Sequence, residues 1–439
     1  MTDTLLTISG AGLYIPFIVQ LFRTRWDKTT WPRQLLLLII AFELTTLLHV
    51  PSVMFCGSGL LLAAFIVYCI RMRPPFRFTP LLVLAVVYVV YFAVAVSWSA
   101  LPLRGLQFLI DNGLPILIFF SAASFIQISG QELGNILKLF CQGALVFAGL
   151  VLLSWGISCI ELHILPWEWP MVRKVQIGGI NAFIWLFRFN GGLNGYTHPS
   201  YNLLPLFAAS CAAMRLSYQR LTHPAFGWVL WAGGTFISVL AQSRMGLIYS
   251  IIIFVAGIVY NMPTTRKRII AGLSVLALGI LLFFAARPTW QQYSQDQIRD
   301  DLYTRTWKYI QIKPWTGAGT GALNPIEICH TTKELYWPHI GYIDPDKDVH
   351  DWRWKTRMLP HNEWLADWAH AGLPAALITL MFYLYITGRY MRIRSYWGIV
   401  FMLIFIILSF LEPPLYIGKG LYLFCMQALL LQSFTGETP

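Results

Sequence analysis

Residues 80–98 read PLLVLAVVYVVYFAVAVSW, a run without a single charged side chain, preceded by Arg71, Arg73 and Arg77. Coiled as an α-helix it would be about 28 Å long at ~1.5 Å per residue, close to the ~30 Å hydrocarbon core of a bilayer. Comparable runs lie near 34–54, 57–71, 106–126, 136–157, 198–216, 225–242, 245–261, 268–286, 362–388, 396–411 and 415–433. In lipid every backbone amide has to be satisfied within its own segment, so bundled helices are the default for runs this long. The expected fold class is an all-α polytopic membrane protein of about twelve transmembrane helices.

Composition agrees. The chain is 57% hydrophobic and only 12% charged, against roughly 25% charged residues in soluble proteins. Its mean hydropathy is +0.59. The net charge of +12 is not that of a nucleic-acid binder, which would carry a continuous basic face on a soluble domain. Here Arg and Lys cluster in short loops: Arg23/Arg25/Lys28/Arg33, Arg71/Arg73/Arg77, Arg215/Arg220, Arg266/Lys267/Arg268 and Arg389/Arg392/Arg394. Such clusters mark cytoplasmic loops. With 71–79 inside, span parity puts 215–224, 262–268, 389–395 and the C-terminus inside as well. The seven cysteines mostly lie in apolar segments, so no disulfide framework is implied. No cleaved signal is expected.

Four regions follow. Residues 1–33 form an N-terminal segment in which 5–22 either spans the membrane or lies in its interface. Residues 34–286 form a helix bundle with a non-cytoplasmic loop at about 158–197. Residues 287–360 are a second such loop, too long for a mere connector, rich in Trp and in charges of both signs. It reads as a cap over the bundle. Residues 361–439 complete the chain with three spans.

The polar residues that stand out collect on the non-cytoplasmic side. Arg244, in AQSRMGL, is pinned between two spans on the side where positive charge is disfavoured; alone it also fits a snorkelling anchor. Arg305 follows Tyr303 and precedes Trp307 and Ile310 in an expected amphipathic helix that ends before Pro314. Arg188 and His198, in RFNGGLNGYTHPSYN, precede a span whose helix N-terminus suits anions, though a capping role fits as well. In TGAGTGAL (316–323) the spaced glycines lack the strand–loop–helix context of a nucleotide site and read as a tight turn.

In MLPHNEWL (358–365), His361, Asn362 and Glu363 open an expected helix. On it, His361, Leu365 and Trp368 share one face and Glu363, Asp367 and His370 another. A neutral imidazole at position 361 could serve as a general base; a satisfied structural histidine is the alternative. His350, Asp351 and His361 lack the ligand spacing of a metal site, so neither metal nor cofactor is expected.

The order of QSR (242–244), then LYTRTWKYIQIKPWTGAGTG (302–321), then HNEWLADWAHAGL (361–373) resembles the O-antigen ligases of Gram-negative bacteria. More loosely it resembles O-antigen polymerases and bacterial protein O-oligosaccharyltransferases. The resemblance implies a metal-independent, inverting glycosyltransferase of the inner membrane with its active site facing the periplasm. Its donor would be O-antigen on undecaprenyl diphosphate and its acceptor a sugar hydroxyl of lipid A-core, with membrane lipids around both. Arg244 and Arg305 match the family's two arginines and His361 its histidine. Arg188, His198, Asn362 and Glu363 are second-rank candidates for binding the diphosphate or glycan. A polymerase is the alternative within the class. A flippase of lipid-linked glycans is the alternative outside it, although its mid-span charges would be only Glu43, Asp111 and Lys138.

Overall fold

A computed structural model describes residues 14–48, 51–161, 199–240, 243–262, 264, 266–267, 270, 297–334, 336–337, 341–342 and 360–434. The fold is helical. In chain order the helices are α1 (Ile15–Arg23), α2 (Trp31–Thr46), α3 (Pro51–Met72), α4 (Pro80–Ala95), α5 (Pro102–Phe108), α6 (Leu114–Ala123) and α7 (Gly130–Glu161). There follow α8 (Pro199–Tyr218), α9 (Ala225–Leu240), α10 (Arg244–Tyr260), α11 (Gln297–Ile312) and α12 (Pro325–Thr332). A two-residue hairpin pairs β1 (Tyr336–Trp337) with β2 (Gly341–Tyr342), and α13 (Glu363–Ala371), α14 (Leu373–Arg392), α15 (Tyr396–Leu411) and α16 (Gly418–Ser433) complete the described chain.

Local chemistry sets many of these starts. Proline occupies the first turn of α2, α4, α5, α6 and α14, where its missing N–H costs nothing. The Thr79 side chain caps α4 by accepting from the Leu82 amide at 3.2 Å. At α7, Ser129 and Glu132 exchange side-chain-to-backbone hydrogen bonds in a capping box.

Among the described residues three stretches are long and apolar enough to cross a membrane: Pro80–Trp98, Pro102–Ala123 and Gly130–Leu153. Several shorter apolar helices stand beside them. On α4, Val86, Val90 and Val94 face outward about half exposed, an arrangement that water penalises and lipid does not. Two expected spans differ from single helices. The run 106–126 becomes α5, a π-helical turn at Leu109–Gly113, and α6. The run 362–388 is broken at Gly372 into α13 and α14. The expected span 268–286 lies almost wholly outside the described residues, as does the start of 5–22.

Contacts sort the loops onto two ends. The Arg77 amide donates to Ser124 O, the Ile128 amide donates to Ser433 O, and Arg33 grips Glu132 with two guanidinium nitrogens at 2.9 and 3.0 Å. The Tyr396 hydroxyl donates to Ala256 O. The basic loops thus gather at one end, as span parity requires.

The opposite end is built by backbone meeting backbone. Residues 314–321 run between the end of α4 and the α13–α14 break. Leu373 N and Trp368 Nε1 both donate to Pro314 O at 2.9 Å, and Ala318 N donates to Ala369 O at 2.9 Å. Thr320 donates through its amide to Ala95 O and through its hydroxyl to Phe92 O. Gly321 and Gly372, at φ +80° and +83°, adopt a backbone that L side chains rarely occupy. A Cβ at Gly321 would stand 2.3 Å from Gly105 N, and one at Gly372 2.0 Å from Trp315 O. The spaced glycines are therefore a tertiary seam, which places the tight turn expected at 316–323. Above it Leu302, Tyr309, Ile310, Leu323, Ile326 and Cys329 form a small core of their own, separate from the main core of the bundle.

Candidate active site

The seam presents α13 at the outer end of the bundle. Its N-cap is Asn362, whose Oδ1 accepts from Leu365 N at 3.0 Å while its Nδ2 donates to Phe410 O at 3.0 Å. The helix therefore begins at Glu363, and His361 stands just before the cap rather than in the first turn. The bond to Phe410 ties the cap to the last turn of α15 and sets His361 beside Glu412. That helix stops there because Pro413 and Pro414 follow.

Glu412 Oε2 lies 2.6 Å from His361 Nδ1. The carboxylate is 2% exposed and the imidazole 32%. With the proton on Nδ1 donated to Glu412, the basic nitrogen is Nε2, the arrangement in which a carboxylate orients a histidine and stabilises it once charged. The Tyr303 hydroxyl donates to the carbonyl oxygen of His361, fixing its backbone from the α11 side.

Behind His361, the inner face of α13 is polar and buried. Glu363 is 0% exposed and its Oε2 accepts from Leu415 N at 3.0 Å. His370 Nε2 accepts from the Gly321 amide, which leaves the proton on Nδ1 to donate to Tyr416 Oη at 3.0 Å. Tyr416 in turn donates to Asp367 Oδ1 at 2.8 Å. This chain of donors fastens α13 to the glycine seam and to residues 412–417. Of the two second-rank candidates here, Asn362 is a cap and Glu363 points inward.

Arg305 is also largely buried. Its Nη1 donates to Glu334 Oε2 at 2.8 Å and its Nη2 to Tyr336 O at 2.7 Å, while Lys308 pairs with the other oxygen of Glu334. Successive residues of an α-helix are about 100° apart, so Tyr303 and Arg305, two positions and about 200° apart, leave α11 on nearly opposite sides. Tyr303 and Trp307 face α13, where Trp307 meets Trp368 edge-on at 5.7 Å. Arg305 faces α12 and the hairpin. Further along that side Tyr309 donates to Glu327 at 3.1 Å; burial first, then the Glu327 charge, push this phenol well above its ordinary range, so it remains a donor.

Arg244 is the first residue of α10, after Ser243, whose Oγ accepts from Gly246 N at 3.1 Å. Helix α10 packs against α15, which ends at Glu412. The side chain of Arg244 lies outside the described residues, as do Arg188, His198, His350 and Asp351. The carrier alternative gains no continuous path from Glu43, Asp111 and Lys138. Glu43 is fully buried and held by Ser58 and Thr46, whereas Asp111 and Lys138 are exposed on other helices.

Residues 228–380 match the family described as O-antigen ligase. Over this stretch the chain is similar to the O-antigen ligase family. The matched region runs from α9 into α14 and takes in Arg244, Arg305 and His361. The match points in general to glycosyl transfer involving lipid-linked polysaccharide, and the apolar helices to a multi-pass membrane protein. No curated protein matches the chain. Glu412 lies outside the ligase-family match and was not among the residues expected from the sequence, nor was Tyr303 as a partner of His361. The available signal was an acid standing between an apolar helix and two prolines.

Proposed function

We propose that the protein is an O-antigen ligase. It transfers polysaccharide from undecaprenyl diphosphate to a sugar hydroxyl of lipid A-core, on the periplasmic side of the inner membrane and without a metal ion. The observation that carries this reading is the His361–Glu412 pair, a half-buried imidazole oriented by a buried carboxylate at the outer end of the bundle. His361 Nε2 takes the proton of the acceptor hydroxyl as its oxygen attacks the anomeric carbon. The bond from that carbon to the diphosphate oxygen breaks, and its electron pair leaves with undecaprenyl diphosphate. Attack opposite the leaving group inverts the anomeric centre. Glu412 stabilises the imidazolium formed.

The departing diphosphate gains charge, and guanidinium groups meet it with fork-like hydrogen bonds and a proton they cannot lose. Arg305 and Arg244 fill this role. In the present arrangement Arg305 is bound to Glu334, and engaging the diphosphate exchanges one anion for another. Substrate energy comes from the diphosphate linkage, so no nucleotide is needed.

The test is ligation by the purified full chain with lipid-linked O-antigen, lipid A-core and a chelator, read as a ladder on a gel. Wild type is expected to form the ladder and His361→Ala and Arg305→Ala to lose it. Full-rate ligation by His361→Ala would remove the base assignment. A wild type that lengthens lipid-linked glycan without modifying lipid A-core is a polymerase.

A further inference from the structure

The basic end of the bundle, far from His361, contains a second feature. The ends of α7, α8, α14, α15 and α16 surround a half-open cavity of about 50 Å3. Its polar lining consists of Arg215, Tyr390, Ser395 and Gln427, and its apolar wall includes Leu137 and Phe434.

Arg215, Gln427 and Ser395 each offer a donor. The Arg215 guanidinium lies 6.0 Å from the Phe434 ring centre and has no hydrogen-bond or ion-pair partner among the described residues. The described acids nearest in sequence to the basic loops are engaged elsewhere, Asp27 with Thr29 and Thr30 and Glu132 with Arg33. Gln427 Oε1 accepts from the Tyr390 hydroxyl at 2.6 Å, so its amide N–H groups are what remain to offer. Ser395 is the N-cap of α15, yet its side chain makes no capping bond. A cation and neutral donors facing an aliphatic wall suit an anion that carries an alkyl chain. The location suits it too, because basic loops mark the cytoplasmic leaflet, where anionic headgroups concentrate.

We propose that this cavity binds the phosphate of an anionic glycerophospholipid from the cytoplasmic leaflet, with Arg215 as its ion partner and the first part of an acyl chain along Leu137. The lipid joins five helix ends whose described lining contains no carboxylate. This inference is independent of the transfer chemistry at the other end.

Native mass spectrometry of the full chain in detergent tests it, with phosphatidylglycerol and phosphatidylcholine as probes. One phosphatidylglycerol per chain is expected to survive conditions that strip phosphatidylcholine. Arg215→Gln and Ser395→Asp are each expected to weaken its retention about tenfold. Aspartate is a good N-cap, so the second variant preserves α15 while setting a negative charge among the donors; it decides the matter should Arg215→Gln fail to fold. Equal retention of the two lipids, or wild-type retention by Ser395→Asp, overturns the proposal. Displacement of the lipid by excess inorganic phosphate would make this a small-anion site and overturn it as well.

Discussion

The ring of His361 is oriented by a residue of the bundle, Glu412 at the end of α15, whereas the guanidinium of Arg305 is held by the outer segment, through Glu334 and Tyr336. The proposed proton acceptor and the proposed phosphate ligand are thus held by different parts of the chain. What joins them is Tyr303 on the His361 carbonyl, Trp307 against Trp368, the packing of Leu365 and Ala369 of α13 into the outer core, and the glycine seam.

The sharpest way to break this division is at the base. His361→Ala is expected to slow single-turnover transfer by about 10³-fold, some 4 kcal/mol of barrier, with melting temperature unchanged. Glu412→Gln should cost about 10²-fold, mostly in kcat, because the ring keeps its place but loses the charge that stabilises imidazolium. If the two variants are equally mild, the pair is structural. On the cap side, Arg305→Ala is expected to cost about 10²-fold with a rise in KM for the diphosphate lipid. A loss confined to kcat would mean that Arg305 does not bind the donor.

Between the halves, Gly321→Ala is expected to lower stability by about 2–3 kcal/mol, since both the positive φ and the contact with Gly105 forbid a Cβ. Calorimetry in detergent reads the loss, and an unchanged melting curve would show that the seam yields easily. The smallest effect is assigned to Tyr303→Phe, which deletes one hydrogen bond worth about 1 kcal/mol. A large drop in rate for that variant would show that the bridge, rather than either half, sets the geometry.

Hydropathy made the helical membrane character legible because lipid demands a continuous apolar run, and that demand is local. The break at Gly372 was hidden by the same averaging: AHAGLPAAL is apolar enough to read as one span, although Gly372 at positive φ and Pro374 in the first turn of α14 make the bend that the approach of Trp315 requires. Likewise the spaced glycines of 316–321 could be read as a turn, but their partners at 95–105 and 369–373 are a property of the folded chain. At the site, a helix opening within residues 361–363 and the shared face of Glu363, Asp367 and His370 followed from a period of ~3.6 residues, whereas the burial of that face did not. Glu412 did not. Its contact with His361 spans a sequence separation of 51, and no periodicity links positions so far apart.

That separation has a consequence for how the protein is made. A growing chain carries Arg244, Arg305 and His361 well before it carries Glu412. Until α15 has entered the membrane and the polypeptide has turned at Pro413–Pro414, the imidazole lacks the acid that orients it. On the mechanism proposed above, half-synthesised molecules hold an unoriented base, and full activity begins only once the last part of the bundle has been threaded into place.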